Sequence, residues 1–218
     1  MGAPPFNDSA CRQRLQQGAM IMDIALSEQQ QQDLMQFLML LVKWNKAFNL
    51  TAVRDPLEMV GRHLLDSLVL LPHLTSTSCL DIGTGAGLPG IPLAIMRPQT
   101  QFVLLDGNSK KIRFVRQAVM ELGLKNVQPV HTRVESYHPE SPFQTLLSRA
   151  FSALPKMLEL TSELRGPETE LLAMKGSVPS EEIAQLGPDY RCDIIPLQVP
   201  FDVGERCLVR IRQSVPVR

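Results

Sequence analysis

Asp81-Ile82-Gly83-Thr84-Gly85-Ala86-Gly87-Leu88-Pro89-Gly90 is the stretch on which the fold of this 218-residue chain turns. In front of it, Cys79-Leu80-Asp81-Ile82 reads as a short buried strand; behind it, residues 91–96 read as a helix. Each glycine lacks a Cβ, so the backbone between strand and helix can turn sharply and approach a ligand closely. Pro89 suits the first turn of a helix, where a missing N–H costs little. Such a loop lies at the carboxyl end of a first strand, where open α/β sheets bind their ligands.

Downstream of the loop, strands and helices alternate. Residues 101–105, 126–131, 145–148 and 170–174 read as strands; residues 110–122, 153–164 and 180–186 read as helices. Residues 191–199 and 205–212 are two late strands with no helix between them. The alternation predicts a mostly parallel sheet of seven strands covered on both faces, closed by an antiparallel hairpin. Upstream, residues 1–77 read as helical. Ser27-Glu28-Gln29-Gln30 has capping-box spacing, and Leu34, Phe37, Leu38, Leu41, Trp44 and Phe48 recur at helical steps, which assigns Trp44 and Phe48 to the core. A second helix is expected from about Pro56 to Leu71. The chain thus divides into a helical extension, 1–77, and an α/β domain, 78–218.

The loop's ligand is narrowed by its acids. Gly85-x-Gly87-x-x-Gly90 satisfies a dinucleotide fingerprint, but the strand ends before Gly83 and the register is poor. Asp81 beside the loop would repel a pyrophosphate. It reads either as an acid suited to the sulfonium and ammonium of S-adenosylmethionine or as a capping carboxylate. Asp106, ending the second strand, is placed to accept ribose hydroxyls, a feature shared by nicotinamide and adenosylmethionine sites. Thr132-Arg133-Val134-Glu135 follows the third strand, where Val134 and Glu135 can contact adenine; a solvated loop acid is the other reading of Glu135. Arg149 ends the fourth strand. It reads as a pocket-shaping residue beside the cofactor, or as an ion-pair partner of Asp106 or Glu135.

Composition excludes several classes. Lys+Arg and Asp+Glu are 22 each, with 44% hydrophobic residues, which argues against a disordered chain or a polybasic tail. The four cysteines form no C-x-x-C pair, and no His/Asp/Glu cluster has metal-ligand spacing, so no metal is expected. No secretory leader and no membrane-length apolar run are evident, and the expected compartment is the cytoplasm. Pro4-Pro5-Phe6 reads as a disordered leader. Two windows are basic without acids: residues 34–54, with Lys43, Lys46 and Arg54, and residues 107–120, with Lys110, Lys111, Arg113 and Arg116. Solvated helix faces are the plainer reading of both.

The chain resembles the bacterial 16S rRNA guanine-N7 methyltransferase family, RsmG or GidB, over nearly its whole length. The resemblance rests on Lys43-Trp44-Asn45-Lys46-Ala47-Phe48-Asn49-Leu50-Thr51, Arg62-His63-Leu64-Leu65-Asp66-Ser67, residues 81–92, Ser148-Arg149-Ala150-Phe151 and Ala173-Met174-Lys175-Gly176. It implies a class I, Rossmann-like methyltransferase fold and adenosylmethionine contacts at Gly83, Leu88, Val134, Glu135 and Arg149, to which the residue reading adds Gly85 and Asp106. It also implies a target at N7 of guanine 527 in 16S rRNA, free or in the small subunit. Asn49, Arg62, His63 and Arg133 are the RNA-side candidates, and a monomer is expected. Guanine N7 has a free lone pair and needs no base, which agrees with a chain showing no amine-methylation motif after the fourth strand and no strand-end nucleophilic cysteine. An NAD-dependent oxidoreductase and a non-catalytic nucleoside- or RNA-binding module are the competing readings.

Overall fold

Among the described residues, 4–149 and 152–214 of the computed structural model, seven strands form one sheet. They are β1 (Ser78–Ile82), β2 (Gln101–Asp106), β3 (Val127–His131), β4 (Phe143–Arg149), β5 (Arg165–Lys175), β6 (Tyr190–Pro196) and β7 (Cys207–Gln213). Their order is β3-β2-β1-β4-β5-β7-β6. Strands β1 to β5 pair in parallel, and β7 runs antiparallel between β5 and β6. Chain order reverses between β1 and β4, so a crevice opens over the carboxyl ends of those two strands.

The helices are α1 (Asp8–Ile21), α2 (Glu28–Phe48), α3 (Pro56–Met59), α4 (Asp66–Leu68), α5 (Gly90–Met96), α6 (Ser109–Glu121), α7 (Leu154–Leu160) and α8 (Ser180–Ala184). The capping box that starts α2 is complete: Ser27 Oγ accepts from the Gln30 N–H at 3.2 Å, and Gln30 Oε1 accepts from the Ser27 N–H at 3.0 Å. The helix expected over 56–71 is not uniform. Residues Val60–Leu65 form a π turn between α3 and α4, in which the Asp66 N–H reaches the Gly61 carbonyl five residues back. Pro72 then falls in a separate 3₁₀ turn, Leu71–His73. Gly61 supplies the local freedom that such an insertion exploits.

Alternation along the strands sends neighbouring side chains to opposite faces. Leu80, Ile82, Leu146 and Leu171 join a core under α7; Cys79, Phe102, Leu104 and Leu172 join a second core on the other face. The second core also takes in Leu15, Leu34, Phe37, Leu41 and Leu64. The helical extension is therefore continuous with one face of the sheet, which fixes its side chains relative to the strand ends.

Two expectations change. Phe48 is 38% exposed; it leans on Trp44 (ring centroids 5.1 Å apart), and Trp44 in turn packs on Phe114 of α6. The stripe's periodicity outlasts the surface that covers it at the last turn of α2. Pro4-Pro5-Phe6 is not a leader detached from the fold. Phe6 packs on the extension's core, and the Asn7 side chain caps α1 through the Ala10 N–H.

Candidate active site

The glycine loop carries the first part of the site. Gly83, Gly85 and Gly87 adopt positive φ angles of 67°, 61° and 75°, a region costly for side chains. Gly90 is needed for space: a Cβ there would enter the Leu104 side chain and lie 2.8 Å from Asp81 Oδ2. Asp81 is fully buried. Its Oδ2 accepts from the Thr84 hydroxyl (2.6 Å) and the Gly90 N–H (3.0 Å), so the carboxylate caps the start of α5. Burial pushes its pKa up to about 6, against the opposing effect of those two hydrogen bonds. Oδ1 has no hydrogen-bond partner among the described residues. A helix start already occupied by a carboxylate offers a pyrophosphate nothing, whereas an orphaned buried acid oxygen beside the loop suits a cationic ligand.

Beside the loop, a cavity of about 370 Å³ is lined by Gly83, Asp106, Lys111, Arg133, Val134 and Glu135, among others. Its volume lies within the range of small-molecule sites. Asp106 Oδ2 accepts from the Gly85 N–H at 2.9 Å and Oδ1 from the Asn108 N–H at 2.7 Å. The end of β2 is thereby tied to the glycine loop. Val134 is a buried wall, and Glu135 is exposed at the rim.

Across the β1–β4 switch point lies a second cavity, about 330 Å³, lined by Val53, Arg62, His63, Asp66, Arg149, Met174, Lys175, Gly176 and Arg206. Asp66 is 3% exposed and holds two guanidiniums: Arg149 Nη1 donates to Oδ2 at 3.0 Å, and Arg206 Nε donates to Oδ1 at 3.2 Å. Arg206 also reaches Asp202 in the β6–β7 loop at 2.7 Å. Lys175 is paired with Glu182 at 2.8 Å.

His63 is buried beside them. Its Nδ1 donates to the Arg62 carbonyl at 2.9 Å, which leaves Nε2 to accept from the Thr51 hydroxyl at 2.9 Å. Burial and the Arg149 charge lower its pKa to about 4, so it is neutral at pH 7. The Arg62 carbonyl also accepts from Arg149, at 3.3 Å. Asn45 supports the arrangement from α2: its side chain accepts from the Thr51 N–H and donates to the Val53 carbonyl.

The sequence-predicted residues thus separate. Gly83, Asp106, Val134 and Glu135 share the first cavity with Arg133. Gly85 supports it through Asp106, and Leu88 is buried in the core behind the loop. Arg149 lines the second cavity with Arg62 and His63, and its charge acts on both Asp81 and His63. Its ion-pair partner is Asp66, not Asp106 or Glu135. Asn49 lines neither cavity; it ends α2 in the left-handed conformation and accepts from Arg54 at 3.2 Å. Ala150 and Phe151 lie outside the described residues. Sequence reasoning missed Asp66 and Arg206 as site residues. Neither carries a local signal, because Asp66 pairs with Arg149 and Arg206, which are 83 and 140 residues away.

Cys79 is buried at the amino end of β1, and burial pushes its thiol up to about 12. Among the described residues, no group of three or more His, Cys, Asp or Glu side chains is placed to hold a metal ion.

A reversed-order parallel sheet with a glycine loop at its switch point and an acid ending the next strand has the class I methyltransferase fold. An S-adenosylmethionine-dependent methyltransferase of Aquifex aeolicus superposes with a TM-score of 0.54 at 17% identity, covering 71% of this chain and 92% of that one. TrmK of M. capricolum, solved with S-adenosylhomocysteine, gives 0.52 at 16% identity, covering 71% and 70%. The family model described as rRNA small subunit methyltransferase G matches residues 30–209. Ribosomal RNA small subunit methyltransferase G of Ectopseudomonas mendocina is 51% identical over 206 residues, 93% of this chain and 96% of that one. Its counterpart in Psychromonas ingrahamii is 50% identical over 191 residues, 87% and 92% of the two chains. The chain belongs to the rRNA small subunit methyltransferase G family.

Proposed function

We propose that the protein transfers a methyl group from S-adenosylmethionine to N7 of a single guanine, position 527, in 16S rRNA. The observation that carries this reading is the pair of cavities on either side of the switch point, one suited to an adenosine and the other to an acceptor base. Asp106 and the Val134–Glu135 turn hold the nucleoside, and Gly83, Gly85 and Leu88 shape the loop over it. The unpartnered oxygen of Asp81 supplies negative potential on the side where a sulfonium and an ammonium belong.

The donor supplies an electrophilic methyl carbon: the guanine N7 lone pair forms the new N–C bond, the S–C bond breaks, and no proton moves. What remains for the protein is to hold two reactants close and aligned, an effect worth up to about 7–11 kcal/mol. Arg149 lines the acceptor cavity, and its charge also acts on Asp81 beside the glycine loop. N7 gains positive charge during transfer, so a bare guanidinium nearby would oppose it. Asp66 offsets that cost by pairing Arg149 at 3.0 Å, and neutral His63 adds no further charge. An rRNA target places the enzyme in the cytoplasm.

The test uses small subunits lacking the modification, naked 16S rRNA and donor labelled in its methyl group, with aniline cleavage to locate 7-methylguanine. Label at one guanine is expected; no incorporation into either RNA form overturns the reading. The oxidoreductase reading predicts thermal stabilisation by NADH, whereas this one predicts stabilisation by adenosylhomocysteine alone. Asp81 at the start of α5 favours the latter.

A further inference from the structure

The chain is formally neutral, and part of its cations are matched by acids. Arg12, Arg149, Lys156, Lys175, Arg191, Arg206, Arg210 and Arg212 all have an acidic partner within 4.0 Å. The outer face of α6 is different. A groove of about 620 Å³ between α6 and the edge strand β3 is lined by Ser109, Lys110, Ile112, Arg113, Arg116, Gln117, Met120 and His131, with no acid among them. Lys110, Arg113 and Arg116 are exposed, and none makes an ion pair or side-chain hydrogen bond with a described residue. Glu121, the acid that ends α6, is engaged by Gln117 at 2.7 Å. Asp106, Gly107, Lys110 and Arg133 line a further cavity at the amino end of α6, which adjoins the cofactor cavity; Glu135 is the exposed acid at the rim of the latter.

We propose that this face of α6 and β3 is a track for the phosphodiester backbone of the RNA substrate, leading away from the cofactor cavity. This rests on the reading of the protein as an rRNA methyltransferase. Three features suit a run of RNA phosphates, and the rRNA methyltransferase family names RNA as the anion. Lys110, Arg113 and Arg116 recur every three residues, putting neighbouring Cβ atoms about 5–6 Å apart along one side of the helix. Arginine forks match phosphate oxygens bidentately. The positive end of the α6 dipole lies at the mouth of the cofactor cavity and adds to the same field. Exposed cations along a groove without acids let a formally neutral protein bind RNA locally.

The test combines Lys110→Gln, Arg113→Gln and Arg116→Gln in the full-length protein and measures binding to 16S rRNA and to small subunits across a salt series. RNA affinity is expected to fall about 10- to 100-fold at moderate salt, with the slope of log K against log salt shallower by about 2 for three lost contacts. Adenosylhomocysteine affinity should stay within about two-fold, since none of the three lines the cavity formed by Gly83, Asp106, Val134 and Glu135. The charge-retaining triple, Lys110→Arg with Arg113→Lys and Arg116→Lys, should keep most of the affinity. Unchanged RNA affinity and slope in the neutral triple would overturn the proposal. So would photo-crosslinks from position 113 that land on a ribosomal protein instead of RNA. If the wild type binds RNA through this face but methylates no guanine, the functional reading fails and the track stands. If the wild type methylates and the neutral triple does so equally well, the track fails and the function stands.

Discussion

The two cavities at the switch point solve opposite electrostatic problems by the same means. On the glycine-loop side, burial raises the pKa of Asp81; on the arginine side, burial lowers that of His63. In each case water is removed from a titratable group and the charged form becomes costlier. The first cavity is built from adjacent strand ends and held by backbone N–H groups. The second is built from the helical extension, β4, β5 and the β6–β7 loop, and held by side-chain ion pairs. A cavity made of backbone is specified locally; one made of ion pairs depends on segments far apart in the chain.

Gly90→Val attacks the first cavity most severely. The added branches would enter Leu104 and the Asp81 carboxylate. A loss of about 3 kcal/mol, or about 6–12 °C in melting temperature for a chain of this size, is expected together with loss of adenosylhomocysteine binding. A melt within 2 °C of wild type would show that the loop tolerates expansion.

The opposed pKa shifts make a pH prediction. His63 titrates near 4 when folded and near 6.5 when unfolded, so its contribution is present above 6.5 and is lost as pH falls through 4. Asp81 titrates near 6 when folded and near 3.8 when unfolded, so its contribution is present below 3.8 and is lost as pH rises through 6. Each amounts to about 3 kcal/mol at 1.36 kcal/mol per unit, with opposite sign, so the two largely cancel in the wild type. In Asp81→Asn the cancellation ends, and urea midpoints should fall by about 3 kcal/mol equivalent between pH 6.5 and 4. Parallel pH curves for the two proteins would refute the assignment.

Asp66→Ala separates the cavities functionally. It strands two guanidiniums, and because these keep some solvent access the expected cost is about 2 kcal/mol, below the 3–5 kcal/mol typical of a fully buried pair. Methyl transfer should drop about 100-fold, equivalent to about 2.7 kcal/mol, while adenosylhomocysteine affinity, read by calorimetry, changes far less. Equal losses in both would make the two cavities one site.

Asp106→Asn is the mirror image. Losing a carboxylate that accepts two N–H groups should weaken cofactor binding about 10- to 100-fold, or about 1.5–3 kcal/mol, with a smaller change in kcat at saturating donor. Phe48→Ser, at a site 38% exposed but packed on Trp44, should cost about 1 kcal/mol. A larger loss in denaturant melts would restore Phe48 to the core.

Much of the first cavity was legible in the sequence. Glycine spacing, the strand before it and the acid ending β2 are local signals, and β1 and β2 pair in register from Ser78–Gln101 to Ile82–Leu105. The capping box at Ser27 was equally plain. The second cavity was legible only in fragments. Arg62, His63 and Arg149 drew notice, yet Asp66, which organises them, looked like one more residue of an amphipathic helix. The π turn was invisible, because the apolar positions of 56–71 keep helical spacing through it. Phe48 was misassigned because periodicity reports which face a residue takes, not how far the covering surface extends.

The sequence by itself determined the alternation of strands and helices, the glycine loop and its acids, and the membership of a methyltransferase family. Each of these is written in residues close together, where propensity, spacing and capping act. Tertiary structure alone decided that Asp81 caps α5, that Asp66 binds arginines from β4 and the β6–β7 loop, that His63 is held neutral, and that the cations of α6 line a groove without acids. Those properties depend on burial and on charges brought together across the fold. Desolvation and Coulomb energy are functions of distance in space, for which spacing along the chain is no measure.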